Sequence, residues 1–294
     1  GVEYIKKQSL PIVLKADGLA AGKGVLICQN HLEAVSEFDL MLLQAKFGEA
    51  GKKVVIEEFL NGIELSIFVL TDGENYVILP EAKDYKRIGE ADAGLNTGGM
   101  GAVSPLPFVT TDFMQKVKDR IIEPTIAGLK KDNLVYRGFI FLGLMNDNGE
   151  PKVIEYNCRL GDPETEVVIP RIKNDLVELF LATAEQRLHE IKIETDERAV
   201  ATVVAVSGGY PGDYEKGKII SGLQDPTLDD SIVFHSGTKK IGDDIVTNGG
   251  RVLAVTSYGG NIAEAVELSN YILEQLDFEG MYYRSDIGFE FSFQ

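Results

Sequence analysis

Glu155-Tyr156-Asn157-Cys158-Arg159-Leu160-Gly161-Asp162-Pro163-Glu164 closes one apolar run and opens the segment after it. In an extended chain successive side chains alternate, so Glu155 and Asn157 share a face and offer two oxygen donors suited to a hard divalent cation. Arg159 follows where the strand ends, within reach of phosphate oxygens that such a cation would bridge. Asp162-Pro163-Glu164 reads as a helix start, with Asp162 as cap and Pro163 at the first helical position. A strand end and a capped helix would account for Asp162 and Pro163 but not for Glu155, Asn157 and Arg159 together. Cys158 reads as a small buried thiol and not a nucleophile.

Working outward, period-2 apolar runs alternate with helical stretches, which predicts α/β or α+β layering. Strands are predicted over 11–15, 25–27, 54–58, 64–70, 76–79, 139–145 and 152–157. Thr71-Asp72-Gly73 and Asp147-Asn148-Gly149 read as hairpin turns. Asn30 and Glu33 have capping-box spacing ahead of Val35, Phe38 and Leu42, which places a helix start there. Further helices are predicted after Thr111, over 175–187 and over 261–276. The charged stretch 194–198 precedes the apolar strand 199–206, and a lobe boundary is expected between them. Strands over 232–235 and 251–255 follow.

The chain has 294 residues and 44% hydrophobic residues, enough for one large domain or a few lobes. It carries 46 acidic against 29 basic residues, a formal net charge of −17, which argues against nonspecific nucleic-acid or anionic-membrane binding. No apolar run reaches the ~18 residues a membrane span needs. Cys28 and Cys158 lack both disulfide-framework and metal-ligand spacing, and a reducing cytoplasm is expected. His31, His189 and His235 stand apart from any triad pattern. The chain opens on Gly1-Val2-Glu3 without an initiator Met or a secretion leader, and is expected to be cut from a longer protein.

Three more segments carry chemistry. Lys15-Ala16-Asp17-Gly18-Leu19-Ala20-Ala21-Gly22-Lys23-Gly24 puts one lysine at a strand end and another in a glycine-rich loop, where small residues let backbone amides approach phosphate. A mobile glycine hairpin with solvated lysines is the alternative. A Walker A loop is rejected, because Gly18 to Lys23 is one residue short and Gly24 stands where Ser or Thr should be. Glu57-Glu58-Phe59-Leu60, with Glu64 beyond, could present backbone to an adenine edge and a carboxylate to ribose; solvated acids beside a core Phe are the alternative. Lys83-Asp84-Tyr85-Lys86-Arg87 leads into Asn96-Thr97-Gly98-Gly99-Met100-Gly101, an anion site or a surface loop.

Taken in order, KADGLAAGKG, IEEFL, NTGGMG and EYNCRLGDPET resemble the phosphoribosylamine-glycine ligase (glycinamide ribonucleotide synthetase) family. The likeness continues through 208–214, 235–238 and 246–253 and so covers almost the whole chain. It implies an α+β, ATP-grasp fold: two α+β lobes with antiparallel sheets holding ATP, plus a smaller C-terminal β-rich lobe. The expected division is 1–62, the remainder of the small subdomain, 63–198, the large subdomain, and 199–294, the C-terminal lobe. It also implies ATP-dependent joining of glycine to 5-phosphoribosylamine through a glycyl phosphate, with Mg or Mn, and with no nucleic acid or membrane partner.

Residue by residue, the resemblance assigns Lys15, Gly22, Lys23 and Gly24 to ATP phosphates, Glu57, Phe59 and Leu60 to adenine with Glu58 beside them, and Glu64 to ribose. Glu155 and Asn157 become the metal ligands. Residues 141–145 offer no second metal carboxylate on the preceding strand. Asp84, Lys86, Arg87, Gly98, Gly99 and Arg159 become substrate contacts, and Arg159, Asp162 and Gly99 the catalytic set. The family carries further sequence before a segment like 11–24, so an N-terminal truncation is expected. Another ATP-grasp carboxylate-amine ligase, or a catalytically incomplete nucleotide-binding fragment, are the rival readings.

Overall fold

A computed structural model describes residues 1–18, 24–44, 46–223 and 230–291. The chain divides into two compact units, Gly1–Gly62 and Ile63–Gln294. Unit 1 contains α1 (Val2–Ile5), β1 (Ile12–Ala16), β2 (Val25–Cys28), α2 (His31–Leu43) and β3 (Val54–Glu58). Its antiparallel sheet has the order β2-β1-β3. Alternation along β1 sends Ile12 and Leu14 into a core with Ile5, Cys28, Ala34 and Met41, which α2 covers. Asn30 caps α2 by accepting from Glu33 N at 2.9 Å, and Glu33 Oε2 in turn accepts from Gln29 N at 2.8 Å, so the expected capping box forms.

Unit 2 begins with β4 (Ile63–Thr71), β5 (Tyr76–Ile78), β6 (Lys83–Asp84), β7 (Arg87–Gly89), β8 (Ala93–Asn96) and β9 (Gly101–Ser104). Helices α3 (Thr111–Val117) and α4 (Glu123–Lys131) lead to the long hairpin β10 (Gly138–Asp147) and β11 (Glu150–Asn157). Then come α5 (Thr165–Val168), α6 (Leu176–Ala184), β12 (Ala199–Val206), β13 (Ser231–His235), β14 (Thr238–Ile241), β15 (Asp244–Thr247), β16 (Arg251–Gly259) and α7 (Ile262–Leu273). Two antiparallel sheets dominate, β11-β10-β4-β5 and β13-β16-β12-β9-β6. The register position 198/199 lies inside this unit, where β12 pairs with both β9 and β16.

The hairpin turns arise as their residues require: Asn148 and Gly149 take φ of 51° and 86°, the left-handed pair that matches strand twist, and Asp147 sits opposite Glu150. Strand β4 is buried on both faces. Leu65, Ile67 and Val69 join one core cluster, and Phe68 and Leu70 join another with Phe141, Val167, Val168 and Leu179. Helix α6 is capped by Asp175, which accepts from Val177 N at 2.7 Å and Glu178 N at 3.2 Å. It stops at Ala184, short of the predicted 187, and α7 stops at Leu273, short of 276. Among the described residues no helix is long and apolar enough to cross a membrane.

Candidate functional site

The four-stranded sheet of unit 2 sets out the site in rows. Ser66 lies opposite Gly143, which lies opposite Glu155; Phe68 lies opposite Phe141, which lies opposite Asn157. Directly opposed residues project from one face, so this face presents Ser66, Glu155 and Asn157 together, with Glu64 two residues before Ser66. Asn157 Nδ2 donates to Glu155 Oε1 at 3.0 Å. A Cβ on Gly143 would stand 3.1 Å from Glu155 Cγ, so the bare glycine gives that carboxylate room. Among the described residues no group of three or more His, Cys, Asp or Glu could hold a metal. Glu155 and Asn157 therefore fit a hard cation only as an oxygen pair, the remaining ligands coming from phosphate oxygens and water. Arg159 is exposed at the same end, its guanidinium 5.9 Å from the Phe141 ring centre, with Nη1 donating to Leu160 O at 3.1 Å.

Beside these rows lies a polar cluster, buried at Glu164, largely buried at Asp84 and open to solvent at Lys86 and Glu64. Lys86 Nζ donates to Glu64 Oε1 and sits 3.7 Å from Asp84 Oδ1. Glu164, 4% exposed, accepts from Ser66 Oγ at 3.1 Å. Its carboxyl rests against Gly161, where a Cβ would come within 2.4 Å of Glu164 Cδ. Burial, and then the Asp84 carboxylate, push Glu164 up to about 7. Burial likewise raises Asp84 against the pull of Lys86. Desolvation pulls the Lys86 ammonium down, but Asp84 and Glu64 outweigh it and leave Lys86 above the ordinary lysine value.

The glycine loop is tied into this cluster. Lys86 O accepts from Thr97 N at 2.7 Å and from Thr97 Oγ1 at 2.8 Å, while Thr97 Oγ1 accepts from Gly99 N at 2.9 Å. Gly99 has φ +119°, and a Cβ there would sit 2.3 Å from Pro163 Cδ, so only glycine fits. Asp162 does not cap a helix as its sequence suggested. The helix begins at Thr165, and both Asp162 carboxylate oxygens are held by Arg251, at 2.8 and 3.0 Å. Arg251 Nη1 also donates to Gly98 O at 2.8 Å, joining glycine loop, Asp162 and β16. A cleft of about 600 Å³ opens here, lined by Asp162, Glu166, His235, Thr238, Asn248 and Arg251. Burial, and then Asp162, raise Glu166, whose Oε2 is buried with no hydrogen-bond partner among the described residues.

Within unit 1, the sheet face away from α2 carries Val13, Lys15, Val25, Ile27, Val55 and Glu57 by strand alternation and register. Lys15 Nζ pairs with Glu57 Oε2 at 2.6 Å. Val25, Ile27 and Val55 are 47%, 47% and 37% exposed, which makes this an open apolar face around one ion pair. Phe59 is 37% exposed just past β3, with Glu58 exposed and Leu60 half-buried. Gly24 O accepts from Ala16 N at 2.8 Å. Gly22 and Lys23 lie outside the described residues.

The structure thus joins Lys15 to Glu57, Glu64 to Lys86 and Asp84, Glu155 to Asn157, and Gly98 to Asp162 through Arg251. Arg87 stands apart, its Nη1 donating to Gly94 O at 2.8 Å within its own hairpin. Cys158 is exposed, contrary to the buried thiol expected, because it lies past the last residue of β11 on the turn towards Arg159; Cys28 is the buried one. Glu164, Ser66, Gly143 and Arg251 escaped sequence reading. The sequence signals for Arg251 are the glycine pair before it, a backbone arrangement suited to close approach, and its place in the 246–253 stretch of family likeness.

Residues 1–165 match the phosphoribosylglycinamide synthetase ATP-grasp (A) domain, and residues 200–290 match the C domain of the same synthetase. The chain is 47% identical over 287 residues to phosphoribosylamine–glycine ligase of Vibrio vulnificus, spanning 97% of this chain and 67% of that protein. The crystal structure of phosphoribosylamine–glycine ligase from Thermotoga maritima superposes with a TM-score of 0.82 at 39% identity, over 97% of this chain and 70% of that one. The biotin carboxylase domain of Hydrogenobacter thermophilus 2-oxoglutarate carboxylase, solved with MgADP, shares the fold with a TM-score of 0.69 at 18% identity, over 96% of this chain and 60% of that one. The chain belongs to the phosphoribosylglycinamide synthetase family, with its ATP-grasp and C domains in sequence order.

Proposed function

We propose that this chain serves the ATP-dependent ligation of glycine to 5-phosphoribosylamine, giving glycinamide ribonucleotide, ADP and phosphate in purine biosynthesis in the cytoplasm. The observation that carries the reading is the Glu155 and Asn157 oxygen pair on one sheet face, with Arg159 at its end. A magnesium or manganese ion on that pair would neutralise phosphate charge. Lys15 and Gly24 would meet the nucleotide phosphates, and the open face of Val25, Ile27 and Val55, with Glu57, Glu58, Phe59 and Leu60, its base. Glu64 would accept from the ribose hydroxyls.

A carboxylate does not acylate an amine unaided, so the chemistry runs in two displacements. A glycine carboxylate oxygen attacks the γ-phosphorus, the bond to the β-phosphate oxygen breaks, and ADP leaves. Arg159 would hold the transferring group, which needs positioning and charge neutralisation more than covalent help. The amine of phosphoribosylamine then attacks the acyl carbon, phosphate leaves, and the nitrogen gives up a proton. Asp162, oriented by Arg251, and the Gly98-Gly99 backbone would position these reactants, with the adjoining cleft large enough for a sugar phosphate. Asp84, Lys86 and Arg87 complete the proposed substrate set. Residues 63–198 would then act as the large subdomain and 199–294 as the C-terminal lobe.

ADP release measured with glycine and phosphoribosylamine, and again with each replaced by another carboxylate or amine, tests the assignment. Release that requires both named substrates supports it. Release with a different pair points to another carboxylate-amine ligase of this superfamily. Nucleotide binding without release identifies a catalytically incomplete fragment.

A further inference from the structure

One ammonium, Lys86, stands among three carboxyl groups: Glu64 on β4, Asp84 on β6 and Glu164 before α5. Only the pairing with Glu64 engages a residue assigned above to the nucleotide. That carboxylate is already taken, because Lys86 donates to it. A ribose hydroxyl and Lys86 therefore compete for Glu64. What decides the competition is how strongly the other side of the cluster attracts the ammonium.

We propose that Lys86 closes Glu64 to nucleotide, and that loss of a proton from the buried Glu164 draws Lys86 off it, so that nucleotide binding releases a proton from Glu164 to solvent. The inference rests on the assignment of Glu64 to ribose. Glu164 is 4% exposed and, among the described residues, accepts from the Ser66 side chain, whose hydroxyl can serve either protonation state by rotating. Among the described residues the charged groups facing it are Asp84 and Lys86, and those facing Asp84 are Lys86, Glu64 and Lys83. With Glu164 neutral, Lys86 has a single carboxylate, Asp84, to balance against Glu64. With Glu164 ionised it has two on that side, both on the buried side of the cluster, whereas Glu64, 37% exposed, is screened by solvent, so Coulomb attraction favours leaving Glu64. Burial and Asp84 set the midpoint of this change at about 7, inside the working range.

The expected behaviour is that of a binding-competent form whose population rises with pH. Calorimetric titration of the full chain with Mg-ADP should show affinity rising about tenfold from pH 6 to pH 8, since the ionised fraction of a group with midpoint near 7 rises about tenfold across that range. At pH 6, heats in two buffers of different ionisation enthalpy should reveal release approaching one proton, falling towards zero at pH 8. Glu164→Gln, permanently neutral, should hold the low-pH affinity throughout once the nucleotide's own titration, common to both proteins, is subtracted. Lys86→Gln should abolish the pH dependence of Mg-ADP affinity and the proton release whatever its absolute affinity, and covers the case in which Glu164→Gln does not fold. Equal wild-type affinity at pH 6 and pH 8 without proton release overturns the linkage and leaves the nucleotide assignment standing. Absence of Mg-ADP binding at either pH overturns the nucleotide assignment and the linkage with it.

Discussion

Replacing Arg284 by Met should destabilise unit 2 by about 2–3 kcal/mol, and the estimate follows from the groups left behind. The Arg284 side chain is fully buried. It makes a two-point contact with Asp286 at 2.8 and 2.9 Å, reaches Asp92 Oδ1 at 2.7 Å, and donates to Arg87 O at 3.2 Å. Removing one partner of a buried ion pair costs about 3–5 kcal/mol, because the other charge stays desolvated. Here the penalty is smaller, since Asp92 is 42% exposed and Asp286 19% exposed, and Asp286 keeps its bond from Ala91 N at 2.6 Å. Relaxation offsets more of it: Ala91 and Asp92 are held at φ of 52° and 53°, a left-handed backbone costing about 1 kcal/mol per residue. At about 2–4 °C per kcal/mol for a unit of this size, the melting temperature should fall by about 4–12 °C. Urea unfolding followed by circular dichroism, with an unchanged slope, measures the loss directly. Arg284→Lys should recover only part of it, because an ammonium cannot match the two-point geometry. A loss below about 0.5 kcal/mol for Arg284→Met, or full recovery by Arg284→Lys, would refute this account.

Other substitutions separate chemistry from packing. Glu155→Ala should abolish metal-dependent turnover with little change in melting temperature, since the side chain is exposed; near-normal turnover removes the ligand assignment. Gly99→Ala should cost about 1–3 kcal/mol in strain and raise the KM for substrates, because its Cβ would overlap the Pro163 ring; unchanged KM and stability contradict the tight-fit reading. For Glu164, held protonated up to about 7 in the fold against 4.5 ordinarily, the contribution to stability is complete below about 4.5 and is lost as pH rises to about 7. Glu164→Gln should therefore flatten the pH dependence of the melting temperature in that window. Asp196 runs in the opposite sense: hydrogen bonds from Arg198 hold it at about 2, so its contribution is present above about 4 and lost as pH falls towards 2. Asp196→Asn should blunt that acid-side decline.

What the sequence disclosed and what it hid follow the range of the forces involved. The β10–β11 hairpin, the Asn30 cap and the shared face of Glu155 and Asn157 rest on neighbours a few residues away, and their residue types announce them. Asp162 shows the limit. Its position before Pro163 matches a helix cap, but Arg251, 89 positions later, takes both carboxylate oxygens, and a charged two-point contact outcompetes an exposed cap. Glu164 is equally opaque, because its partner Ser66 lies 98 residues earlier and only the folded sheet brings them together. Gly143 looks like a weak point in an apolar strand until the register sets it opposite Glu155. Cys158 was misread because hydrophobic thiols are usually buried, whereas this one lies beyond the strand end.

The five-stranded sheet of unit 2 bears on how this family can exchange parts. Residues matched to the C domain supply β12, β13 and β16, yet β9 and β6, from the ATP-grasp match, complete the same sheet through β12. A chimera joined near residue 199 would therefore hand one parent's β12 to the other parent's β9, with Val200 opposite Ser104 and Val203 opposite Gly101. Grafts between relatives should succeed only when Lys83–Asp84 and Gly101–Ser104 travel with the C-terminal strands, so the heritable block is wider than the segment that bears the domain's name.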